Sequence, residues 1–112
     1  QDFEGTQRWL NRISNPQANL VTKQQGYYHY LHGVIEYQTN LTKAEKSFRK
    51  ALYFGLSMSA DEAMAKLSLA GILMQKRRKR EATTLLNEAK KADKHNMLGQ
   101  QIKMMQQQMK KI

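Results

Sequence analysis

The sequence predicts an all-α fold built from antiparallel helical hairpins. Three observations carry this expectation. Ala, Leu, Lys, Gln, Met and Glu, which favour helix, are abundant, and the 112 residues hold a single Pro. Apolar residues recur at helical spacing and never alternate with polar ones over a strand's length. The chain also matches itself when shifted by 38 residues, across two consecutive helices. A chain of this length forms one domain around a modest core.

Residues 2–13 read as a first helix, with Phe3, Trp9, Leu10 and Ile13 on its apolar side. Ser14-Asn15-Pro16 stops it, because the residue before Pro is pushed out of the α region. After a short polar connection a longer helix runs over about 21–38. Tyr27, Leu31, Val34, Ile35 and Gln38 stand on it at helical spacing, and Tyr28 and Tyr30 widen its aromatic side. Thr39-Asn40 breaks the pattern. Thr42-Lys43-Ala44-Glu45 has the form of a capping box, in which Thr accepts a backbone N–H and Glu reaches back to the cap's own N–H. It opens a helix carrying Ala44, Phe48, Ala51 and Leu52, and Gly55 closes that helix in the left-handed conformation Gly adopts most cheaply.

Ser59-Ala60-Asp61-Glu62 is a second capping box, followed by Ala63, Leu67, Ala70, Leu73 and Met74. Lys76, Arg77, Arg78, Lys79 and Arg80 cover a tight turn. Ala82, Leu85, Leu86 and Ala89 mark the next helix, whose last turn near 90–94 carries cations that complement the helix dipole. Asn96 is placed to cap a final helix. There Leu98, Ile102, Met105, Met109 and Ile112 follow steps of four, three, four and three, a seam that seeks a partner. Met104 and Gln106-Gln107-Gln108 face outward from it.

Under the 38-residue shift, Leu31 falls on Leu69, Gly33 on Gly71, Val34 on Ile72 and Ile35 on Leu73. Ala44 falls on Ala82, Phe48 on Leu86 and Ala51 on Ala89. Small and large residues coincide in order, which helical periodicity alone does not produce. On these residues the chain resembles the tetratricopeptide repeat family, whose unit is a helical hairpin of 34 residues. The first repeat supplies Tyr28, Leu31, Ile35, Ala44, Phe48 and Ala51, and the second Leu69, Ala70, Leu73, Ala82, Leu86 and Ala89. The departures are His32 at a small position, Lys66 at an aromatic one, no Pro after either second helix, and about four extra residues between hairpins. The resemblance implies hairpins stacked as a right-handed superhelix of about six helices, with repeats over 26–56 and 60–94 and flanking helices over 2–13 and 97–112. Each unit buries its apolar face only against a neighbour, so the flanking helices are expected to cover the ends.

The resemblance also implies a function: a non-catalytic scaffold whose first helices line a groove for a peptide or protein segment. Carried across, the groove positions are His29, Gly33, Glu36 and Tyr37 in the first repeat. In the second they are Met64, Leu67, Gly71, Met74 and Gln75. Gly33 and Gly71 would let a ligand backbone approach closely, and Met64 and Met74 would offer an adaptable apolar surface. The competing expectation is a groove filled by the flanking helices. The several Lys, Arg and Asn of a carboxylate clamp are not evident on that face.

Charge suggests a second class of function. The formal balance is +10, with +3 up to Leu56 and +7 from Ser57 onward. Such a field attracts acidic proteins, nucleic acid or anionic lipid. The 76–80 run would contact phosphates, yet no aromatic lies near it to stack bases, and a solvated turn explains it as well. The 97–112 stripe would pair chains or, more simply, cap the second hairpin; it covers barely two heptads.

Other classes find little support. His29, His32 and Glu36 share helix spacing that suits metal ligands, but no fourth ligand is identifiable, so neither a metal nor another cofactor is expected. Asn40-Leu41-Thr42 matches a glycosylation acceptor, a pattern that recurs by accident. With no Cys, no Gly-rich phosphate loop and no His paired with Ser and Asp, catalysis is not expected. No apolar run approaches the ~20 residues that span a bilayer. The chain opens on Gln1 and reads as part of a longer protein, so an upstream anchor is compatible with it and the lean is only toward the cytoplasm.

Overall fold

The computed structural model describes residues 18–111, with side chains from Thr22 onward. Among these residues there are five α-helices and no strand: α1 (Ala18–Glu36), α2 (Leu41–Phe54), α3 (Ser59–Gln75), α4 (Lys79–Ala92) and α5 (Gly99–Lys110). The sixth expected helix, over 2–13, lies outside the described residues. The chain divides into two compact units at Ser57 and Met58, each built on one hairpin.

In the first hairpin α1 packs along α2. The approach is close because two of the residues that α1 turns toward α2 are glycines. A Cβ on Gly26 would collide with the backbone carbonyl of Gly55, and one on Gly33 would stand 2.8 Å from the Phe48 ring. Ala44, Phe48 and Ala51 form the buried seam of α2. Gly55 closes α2 as expected, but at φ 93 and ψ 147, outside the left-handed helical region and in positive-φ space that Gly alone adopts readily, with its N–H bonded to the Ala51 carbonyl.

The second hairpin repeats this seam. Ala82, Leu86 and Ala89 on α4 are as buried as Ala44, Phe48 and Ala51 on α2. Both bounds of α4 stand 38 residues after those of α2. α3 is buried nearly all round, through Ala63, Ala65, Leu67, Leu69, Ala70, Ile72 and Leu73, as an apolar helix without a polar face must be. Where the first hairpin has Tyr28, the second has Lys66. Its ammonium lies 3.1 Å from Glu62 and 3.4 Å from Glu88, tying α3 to α4. α5 packs on this hairpin with Leu98, Ile102 and Met109 buried. Most of the apolar seam over 97–112 is thereby used within the unit, while Met104 faces outward as expected.

The helix starts differ from those expected. Asn40, not Thr42, caps α2: it is extended at φ −150 and ψ 98, and its Oδ1 accepts the Lys43 N–H at 3.1 Å. Thr42 already lies inside the first turn, and Glu45 pairs with Arg49 at 3.1 Å instead of reaching back. Ser59 is itself the first residue of α3, after an extended Met58 that makes no side-chain cap, and Glu62 holds Lys66. Asn96 does not cap α5. Asp93 serves that loop, accepting the Met97 N–H at 2.9 Å and the Leu98 N–H at 2.7 Å, while Asn96 sits at φ 54.

The Gly33–Phe48 contact yields a test. Gly33→Ala gains roughly 1 kcal/mol of helix propensity. It also forces the buried Phe48 ring aside, an overpacking that costs about 1–3 kcal/mol. The variant is expected to melt several degrees lower, and the loss is expected to shrink by at least ~0.5 kcal/mol when Phe48→Leu places there the residue found in the second hairpin. Additive losses in a double-mutant denaturation cycle would refute the contact.

Candidate functional site

Two faces of α1 do different work. Gly26, His29, Gly33 and Glu36 turn toward α2. His29 stacks on the Phe54 ring, with centroids 5.5 Å apart and planes 9° from parallel. Glu36 accepts the Ser47 hydroxyl at 2.5 Å. On the other side Tyr27 and Val34, seven residues apart and so on one helix face, are exposed by 47% and 38%. Tyr37, bonded through its N–H to the Gly33 carbonyl just past the helix, is exposed as well. Leu31 and Ile35 are half-buried beside them. This apolar row is the stripe expected to form the packing face of α1. It stays partly open because the glycines bring α1 closest to α2, while Tyr30 meets the Phe48 ring with centroids 6.2 Å apart. Its counterparts in the second hairpin, Ala65, Leu69, Ile72 and Leu73, are buried.

The residues expected to line a groove are therefore distributed unequally. Of the first-repeat set, only Tyr37 is exposed; Gly33 is buried and receives the Phe48 ring where a ligand backbone was expected. In the second set Leu67 and Gly71 are buried, Met64 and Met74 are half-buried and Gln75 is exposed. The exposed row of Tyr27, Val34 and Tyr37 was legible as an apolar stripe. Only the glycine positions hinted that it would face away from α2.

His32 sits edge-on to the Tyr28 ring, with centroids 4.4 Å apart, and its Nδ1 lies 3.9 Å from Glu36 Oε2. Ser47, Glu36 and His32 thus stand in a line with the carboxylate in the middle. The serine hydroxyl donates to the carboxylate and not to an imidazole, so the three do not stand in Ser–His–carboxylate order. Among the described residues no three His, Asp or Glu side chains converge as a metal site.

The basic run folds as the turn between α3 and α4 and the start of α4. Lys76 caps α3, Arg77 takes φ 62, and Arg78 precedes α4. Lys79 and Arg80 then occupy the first helical turn, where their carbonyls accept the Thr83 and Thr84 hydroxyls at 2.8 and 3.1 Å. Arg77, Arg78, Lys79 and Arg80 are exposed. Cations at a helix N-terminus oppose the dipole, so helix stability does not account for Lys79 and Arg80.

No family model matches the chain, and no curated protein or solved structure is significantly similar to it. No helix among the described residues is long and apolar enough to cross a membrane.

Burial holds the imidazoles of His29 and His32 below the ordinary 6.5. Lys50 and His32 push His29 further down, while Glu36 opposes both shifts. The unfolded chain therefore takes up these protons first as pH falls. Stability that is complete above pH 6.5 is expected to decline through the lowered values. Asp61, raised by burial above its ordinary 3.8, works in the opposite sense but in a more acidic window. Urea midpoints at pH 7.5 and 5.5 check this: the midpoint should fall at 5.5, and His29→Gln with His32→Gln should flatten the difference. An undiminished difference in that variant would remove the assignment.

Proposed function

We propose that the chain is a tetratricopeptide-like module of helical hairpins that binds an acidic, partly apolar protein segment and performs no catalysis. The observation that carries this is the outward row of Tyr27, Val34 and Tyr37 on the first hairpin. Aromatic side chains with a polar tip suit interfaces, because they bury a large area at little entropic cost. The 38-residue repetition of the bounds of α2 in α4 and of the alanine seam supports the repeat assignment. The charge of +10 favours an acidic partner and speeds encounter with it.

A second function, polyanion binding through Arg77, Arg78, Lys79 and Arg80, is favoured by the placement of two cations where the helix dipole resists them. It would show as nucleic-acid affinity that falls steeply between 50 and 200 mM salt and is lost in Arg77→Gln, Lys79→Gln, Arg80→Gln.

The main proposal is tested with a photo-crosslinking residue at position 34 and, as control, at the exposed Gln107. A partner trapped from position 34 and not from 107 is then titrated against the whole chain. Val34→Glu, exposed and still a good helix former, is expected to weaken its binding at least ~10-fold, about 1.4 kcal/mol. No preferential trapping, or unchanged affinity, would defeat the proposal.

A further inference from the structure

The first hairpin carries a pocket of about 240 Å³ on a flank that the aromatic row does not use. From α1 it is lined by Tyr28, His29, His32 and Glu36. From α2 come Lys43, Lys46, Ser47 and Lys50. The three lysines follow i, i+3, i+7 spacing and form one row along the helix. None of their ammoniums is in an ion pair with a described residue. The one carboxylate, Glu36, is engaged by the Ser47 hydroxyl and lies beside His32. Three cations thus stand against one anion, an excess of two positive charges.

The fold does not require this cluster. In the second hairpin the positions 38 residues on from His29, His32, Glu36 and Ser47 hold Leu67, Ala70, Met74 and Leu85. Those of Lys43, Lys46 and Lys50 hold Glu81, Thr84 and Glu88. Helices α2 and α4 nevertheless have equivalent bounds and equally buried seams. The same hairpin therefore forms with an apolar seam and an acidic row, so the polar, cationic set in the first hairpin has another cause.

We propose that this pocket is a phosphate site, taking the dianionic phosphate of a small phosphate-bearing molecule on Lys43, Lys46 and Lys50, with the Tyr28 hydroxyl and the imidazoles as hydrogen-bond donors. The charge argument selects the ligand. A phosphomonoester carries about −1.5 to −2 at pH 7, which matches the excess, and lysine binds phosphate as a point charge. A monocarboxylate would leave one ammonium uncompensated. At about 240 Å³ the volume lies just below the range of drug-sized ligand pockets, which begins at roughly 300 Å³, and suits a headgroup-sized molecule. A phosphate here also reverses the electrostatics of the histidines. Burial and Lys50 hold His29 below its ordinary value, and a dianion among Tyr28, Glu36 and the three lysines would favour both imidazolium forms, so binding draws in protons.

The test is a titration of the full chain with inorganic phosphate at pH 7 and constant ionic strength, read on the histidine ring protons by NMR. His29 and His32 are expected to shift saturably and to titrate at higher pH with phosphate present, while the exposed His95 stays unmoved. Acetate at equal concentration should move none of them. Lys46→Gln with Lys50→Gln, helical by circular dichroism, should weaken phosphate binding at least ~10-fold, the cost of losing two charge-assisted contacts. The proposal fails if His29 and His32 respond no more than His95, if acetate acts as phosphate does, or if the double variant binds phosphate unchanged.

Discussion

The first hairpin depends on how closely two helix backbones approach. At Gly26 and Gly33 the absence of a Cβ lets α1 settle against the Gly55 carbonyl and the Phe48 ring. Ala44 and Ala51 flank that ring, and none of the three is accessible to more than a trace of water. Large residues at the glycine positions would hold the helices apart and leave Phe48 without its close partner. The core of this hairpin thus centres on one ring pressed on a bare stretch of α1 backbone and met by Tyr30 from that same helix, the dense packing that distinguishes an interior from an oily contact.

That constraint decides which side chains remain available for other work. Because glycines occupy the contact, Tyr27, Val34 and Tyr37 are turned elsewhere, and a stripe that looks like core becomes surface. Along the flank between the two faces, His32, Glu36 and the lysine row of α2 meet in a half-enclosed polar pocket. One helix therefore presents an apolar face, a packing face and a charged flank. The second hairpin keeps the packing seam and fills the other positions differently, with Lys66 bridging Glu62 and Glu88 where the first has an aromatic ring. Backbone repetition coexists with divergence wherever a side chain does not sit in the seam.

Capping shows the limit of local pattern. Thr42 and Ser59 each stand three residues before a Glu, which is the form of a capping box. The chain leaves the extended region earlier in both cases, at Asn40 and Met58. Each Glu then finds a lysine or arginine one turn on, a partner just as local and available once the residue is inside the helix. Before α5, the two carboxylate oxygens of Asp93 satisfy two backbone donors that a single Asn96 amide does not.

The helical class, the positions of the five described helices to within a few residues, the Gly55 stop and the 38-residue equivalence of Ala44 with Ala82 were all legible in the linear order. They depend on spacing and on residue size, which a sequence states directly. Tertiary structure alone decided that the Tyr27–Val34 stripe faces outward, that Gly33 serves Phe48 and that His32, Glu36 and Lys50 share a pocket. A helix pattern fixes the angles between its side chains but not the rotation of the helix about its axis. That rotation is set by which residues permit the closest approach of a partner helix, and in α1 the smallest residues prevailed over the most apolar ones.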